Sequence, residues 1–125
     1  MDVLQNRILT IMRDHAGETN RIGRESLRQE LSDWLGREVG DREMRLAIEE
    51  LRTNDAEGCM IASALRGGYY MAESRDGLDK FLNSEHNRAM SILIRNSIQR
   101  KRAGLKPTQI QPRLFDVPAR REDEW

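Results

Sequence analysis

Asp41-Arg42-Glu43-Met44-Arg45-Leu46-Ala47-Ile48-Glu49-Glu50-Leu51-Arg52 carries the clearest periodicity in the chain. Met44, Ala47, Ile48 and Leu51 recur at spacings of three and four, which lines them along one face of a helix. That helix is expected from Arg42 to about Thr53, with Asp41 as its N-cap, because a carboxylate there can accept the unpaired amides of the first turn. Arg42, Arg45, Glu49 and Arg52 follow the same spacing on another face, so three guanidinium groups are expected to point together into solvent.

Upstream, a helix is expected from Arg24 to Leu35, with Leu27, Leu31, Trp34 and Leu35 on its inner face and Gly36 as its cap. Before it, Glu18-Thr19-Asn20-Arg21-Ile22-Gly23 reads as turn-like, with Ile22 extended into the core. Val3, Leu4, Ile8, Ile11 and Met12 form the stripe of a first helix from about Asp2 to about Ala16, stopped by Gly17. Asp14-His15 falls at its fraying end.

Downstream the period changes to that of strands. Cys59–Ser63 and Tyr69–Ala72 read as two short strands joined by Ala64-Leu65-Arg66-Gly67-Gly68, whose glycines supply the positive backbone angles of a hairpin. Cys59 is expected to pack as a small strand residue. A long helix follows Ser74 and runs to about Arg102, with weak points at Gly77 and Asn83-Ser84. All three prolines lie beyond Gly104, so 104–125 reads as a flexible tail. The expected class is mainly α with a small β-hairpin, organised as 1–73, a C-terminal helix over 74–103, and the tail.

Helix, extended piece, helix, four-residue turn, helix, hairpin is the order of a winged helix-turn-helix domain. Asp41–Arg52, Met60-Ile61-Ala62-Ser63 and Gly68-Tyr69-Tyr70-Met71-Ala72 together resemble small winged-helix proteins of phage and prophage genomes. The resemblance covers about 3–95 and implies binding of double-stranded DNA, in phage or prophage replication or its control. Leu46 departs from it, standing where such proteins often carry a basic or polar residue.

In a helix-turn-helix the N-terminal part of the second helix enters the major groove. Arg42 and Arg45 are therefore the candidates for base edges, where Arg pairs bidentately with guanine. Arg52 shares their stripe; Arg66 sits at the hairpin tip, within reach of a phosphate or the minor groove. Arg24, Arg28 and Arg37 are expected on backbone phosphates. Charge is unevenly spread: residues 1–94 hold 13 basic against 17 acidic residues, whereas 95–121 hold eight basic against Asp116 alone. Arg100, Lys101 and Arg102 belong to this basic segment and are further DNA candidates. The competing expectation is that the arginines pair with Glu25, Glu30, Glu38, Glu43, Glu49 and Glu50, leaving a protein-binding adaptor that never touches DNA.

Gln111-Pro112-Arg113-Leu114-Phe115-Asp116 resembles the short motif by which bacterial replication and repair proteins bind the sliding clamp. The resemblance implies that Leu114 and Phe115 fill an apolar pocket of the clamp or another replication protein, with the Gln111 amide fixing register. The long helix offers another partner, a second copy: Leu78, Leu82, Glu85, Ala89 and Ile92 fall near a heptad, widened by Phe81 and Leu93. Such a homodimer would suit a transcriptional repressor with two half-sites.

Little invites catalysis. His15 and His86 are far apart, Cys59 is the single cysteine, and no Cys-x-x-Cys, His-x-x-x-His or Walker pattern occurs. No enzyme activity, cofactor, metal or small-molecule substrate is expected. With 34% charged and 38% hydrophobic residues, no run of about 20 apolar residues and no signal-peptide pattern at the start, the chain reads as a cytoplasmic protein with a modest core and no membrane partner.

Overall fold

In the computed structural model, residues 1–107 are described. The protein is mainly helical with one two-stranded antiparallel sheet: α1 (Val3–Met12), α2 (Arg24–Leu35), α3 (Asp41–Asn54), β1 (Ile61–Ser63), β2 (Tyr69–Met71) and α4 (Arg75–Ala103). The chain divides into two compact units, Met1–Asn83 and Ser84–Trp125. No helix of the described residues is long and apolar enough to cross a membrane.

α1 opens with a capping box. The Asp2 carboxylate accepts the Gln5 amide at 2.8 Å, and the Gln5 side chain accepts the Asp2 amide at 3.1 Å. The helix stops at Met12, four residues before the expected Ala16. The reason lies in the sheet. His15 O accepts the Met71 amide at 2.8 Å and Met71 O accepts the Gly17 amide at 2.9 Å, so the segment around Ala16 runs beside β2. Ile22 exchanges two 2.9 Å bonds with Tyr69, which confirms the extended anchor. β2 is thereby paired on both edges, with β1 opposite in the register Ile61–Met71, Ala62–Tyr70, Ser63–Tyr69.

α2 and its Gly36 cap stand as expected, Gly36 taking the left-handed conformation at φ 71°. Leu27 and Leu31 are fully buried; Trp34 is not. It lies on the rim, 51% exposed, with the Arg7 guanidinium 4.8 Å from the ring centroid, while Leu35 takes the inner place. The α2–α3 turn is locked by α2 side chains acting on one residue. Ser32 Oγ accepts the Val39 amide at 2.9 Å, and Arg28 donates to the Val39 carbonyl at 3.0 Å. Val39 itself is sealed in the core.

α3 starts at Asp41, so Gly40 holds the N-cap position and Asp41 caps nothing with its side chain. Met44, Ile48 and Leu51 bury completely or nearly so against Ile8, Met12, Leu27, Leu31 and Ile61. Each such side chain contributes about 1.5–3 kcal/mol relative to exposure. After α3, Gly58–Met60 form a 3₁₀ turn, so β1 begins at Ile61 and not at Cys59. Cys59 is exposed, its thiol donating to the Ala56 carbonyl at 3.1 Å, because the Asp55 carboxylate winds this turn by accepting the Glu57 and Gly58 amides. α4 runs unbroken through Gly77 and Asn83-Ser84; Ser74 Oγ caps its start by accepting the Gly77 amide at 3.0 Å.

Candidate nucleic-acid interface

In the first unit a groove of about 850 Å³ lies between the start of α2 and the β1–β2 turn. Arg21, Arg24 and Arg66 line it together with Ser26, Gly68 and Tyr69. The extended pairing of Ile22 with Tyr69 sets Arg21 at one edge, and Gly23 opens α2 with no side-chain cap on its first amides. The opposite wall is a closed turn, in which Ala64 O accepts the Gly67 amide and Gly68 O accepts the Ala64 amide, both at 3.0 Å. Leu65 and Arg66 occupy its corners. Gly68, at φ 89°, lies so close to the Ile22 carbonyl that no Cβ fits there.

A second, smaller groove of about 310 Å³ follows α3, lined by Arg42, Arg45, Leu46, Glu49, Arg52 and Tyr69. Tyr69 borders both grooves, so they adjoin. Leu46 is 56% exposed on this face.

The expected arginines divide sharply by partner. Asp41 sits between two of them, its carboxylate 3.2 Å from Arg24 Nε and 2.9 Å from Arg45 Nε. Arg37 forms a fork on Glu43 at 3.1 and 2.9 Å, which holds the Glu43 carboxyl below its ordinary range and raises the guanidinium. Arg28 is bound by Glu25 and the Val39 carbonyl, with its side chain only 18% exposed; the same pairing lowers the Glu25 carboxyl. Arg28 is therefore an internal clamp of the α2–α3 turn and not the phosphate ligand expected of it.

Arg52 is also displaced from its expected role. Its guanidinium turns onto the sheet, donating to the Ile61 carbonyl at 3.1 Å and to Ser63 Oγ at 2.7 Å, with the Tyr69 and Phe81 rings 5.5 and 6.0 Å away. Only Arg42 and Arg45 of the expected solvent-facing trio remain on the outer surface.

Arg42 and Arg66 are exposed and make no ion pair among the described residues. Arg21 bonds only the Glu18 carbonyl, at 3.2 Å. Arg21 was not among the expected residues. Its signal was adjacency to Ile22: a cation beside a core-anchoring extended residue must emerge at the edge of whatever that residue pairs with.

Arg100, Lys101 and Arg102 lie exposed in the last turn of α4, in the second unit. There the carbonyls of Arg100 and Lys101 accept the Leu105 and Gly104 amides, and the three cations oppose the negative helix end. Gln111, Leu114 and Phe115 lie outside the described residues. No group of three His, Cys, Asp or Glu side chains among the described residues is placed to hold a metal ion. No protein-family model, curated protein or solved structure matches the chain.

Proposed function

We propose that the first unit is a winged helix-turn-helix module that binds duplex DNA, with α2 and α3 as its helix pair and the β1–β2 hairpin as its wing. The supporting observation is the pair of adjoining grooves, across which Arg21, Arg42 and Arg66 present guanidinium groups with no carboxylate partner among the described residues. The division of labour differs from that of a helix bristling with arginines. The groove beside α2, lined by Arg21, Arg24 and Arg66, suits a phosphate backbone. On α3, Arg42 is the free cation for a base edge and Leu46 suits a thymine methyl. The role in phage or prophage replication or its control, and clamp binding through Gln111–Phe115, rest on the resemblance alone.

The test is anisotropy of a labelled duplex across a salt series. The intact chain is expected to bind with affinity falling steeply as salt rises. Arg21→Ala plus Arg66→Ala should lower the slope of log affinity against log salt by about 2, one for each phosphate no longer neutralised. No binding at low salt overturns the proposal. In that case the near-neutral outer face of α3, where Asp41 holds Arg45 and Glu43 holds Arg37, favours the protein-binding adaptor.

A further inference from the structure

Leu65 is the most exposed large apolar side chain among the described residues, at 86%. It stands at a corner of the β1–β2 turn, where polar residues and glycine are the usual occupants. The chain reversal does not need it. Gly67 and Gly68, at φ 96° and 89°, set the turn, and Ala64 beneath it is the residue that buries. Nor can Leu65 retreat toward the core. Two 3.0 Å bonds across the turn tie Ala64 to Gly67 and Gly68. Gly68 is seated against the Ile22 carbonyl, and Ser63 is held by Arg52.

A lone exposed leucine is ordinary on a protein surface; one held out on a braced tip beside cations is not. Arg66 adjoins it with no ion pair among the described residues. Arg21 and Arg24 line the groove behind. The one carboxylate of that lining, Glu25, is engaged by Arg28. Charge therefore selects a polyanion as the partner, and the leucine selects where on it.

Given the DNA binding proposed for the first unit, on which this inference rests, we propose that the hairpin tip enters the minor groove, where Leu65 wedges open a base step and Arg66 lies beside it. The minor groove is about 6 Å wide, so it admits the side chains of a turn and not the body of a hairpin. Its floor is the stacked bases, and an apolar side chain thrust between two of them unstacks the step and kinks the duplex. A wedge that yields cannot hold bases apart, which is what the bracing of the tip provides. Pyrimidine–purine steps such as TA unstack most easily, so a duplex rich in them is favoured over a stiff A-tract.

The test uses the full chain and a short duplex whose TA steps carry 2-aminopurine, a base that brightens when unstacked. Binding is expected to raise its fluorescence. Leu65→Ala should lose that rise and bind about tenfold more weakly. Its salt dependence and melting temperature should not change, because neither a charge nor a core contact is removed. Leu65→Met, still an apolar wedge, should keep the rise. Arg66→Ala should instead lower the slope of log affinity against log salt by about 1. Binding with no rise in fluorescence, or a rise that survives Leu65→Ala, overturns the wedge and leaves DNA binding standing. No binding at low salt overturns both. Unchanged DNA affinity in Leu65→Ala, together with lost sedimentation on phosphatidylserine vesicles, assigns the tip to an anionic membrane and overturns the proposal.

Discussion

Arg52 offers the sharpest contrast between a stripe of charge and a bracket in the fold. As a bracket it supplies two charge-assisted hydrogen bonds from α3, to the Ile61 carbonyl at 3.1 Å and to Ser63 Oγ at 2.7 Å. Bonds from a charged donor are worth about 1.5–3 kcal/mol each, and a stranded partner costs about as much again when buried. The Tyr69 and Phe81 rings, 5.5 and 6.0 Å away, add about 0.5–1 kcal/mol each. Some of this overlaps, and water replaces part of it at a half-buried site. Arg52→Ala should therefore destabilise the first unit by about 3 kcal/mol. For a urea m-value of about 1.5 kcal/mol/M, the unfolding midpoint falls by about 2 M. Arg52→Lys keeps the charge but loses the planar fork, so about half that effect is expected. Equilibrium urea unfolding followed by circular dichroism measures both. DNA affinity of folded Arg52→Lys should stay within about threefold of the parent, a change of only about 0.65 kcal/mol. An unshifted midpoint in Arg52→Ala, combined with abolished DNA affinity in Arg52→Lys, would refute the bracket and return Arg52 to the DNA-facing stripe.

Three further outcomes are expected. Gly68→Ala should cost about 3 kcal/mol, from a side chain at φ 89° set against the Ile22 carbonyl, whereas Gly67→Asn, at φ 96° in open space, should cost about 1 kcal/mol or less; thermal melts compare the two. Carboxyls of Glu25, Glu43 and Glu57 are held low by Arg28, Arg37 and Arg13. A depressed folded value means the stabilisation is present above the unfolded value near 4.3 and is lost as pH falls through the folded one. Melting temperature should therefore be level down to about pH 5, then fall, and fall less in high salt. Cys59 should react stoichiometrically with a thiol reagent in the native protein, without waiting for unfolding, since its side chain is exposed on the 3₁₀ turn.

The core was legible because burial leaves a periodic trace. Met44, Ala47, Ile48 and Leu51 marked α3, Leu27 and Leu31 marked α2, and Ile22 betrayed its extended pairing. Local chemistry carried the hairpin too, through the positive angles of Gly67 and Gly68. Legibility failed wherever a residue's fate depended on a partner brought near by folding. α1 stops early because the backbone around Ala16 joins β2, more than fifty residues away. Trp34 fits the inner stripe by spacing, but Leu35 competes for the same space and Arg7 offers the indole a cation at the rim. Asp41 looks like a cap until Arg24 and Arg45 claim its carboxylate.

The arginines make the same point about function. A chain with 21 basic and 21 acidic residues supplies every cation with competitors, so spacing alone tells where a guanidinium begins and not where it ends. Arg28 ends on a turn carbonyl, Arg37 on Glu43 and Arg52 on a strand. Pairing subtracts these from the surface, because a guanidinium already forked onto a carboxylate must let go of it before meeting a phosphate. What is left over is the informative quantity. Arg42 and Arg66 were visible in the sequence and remain free among the described residues; Arg21 joins them only because Ile22 fixes it beside Tyr69. Under the proposed reading the cations that matter are those both unpaired among the described residues and set beside a groove, as Arg21, Arg42 and Arg66 are.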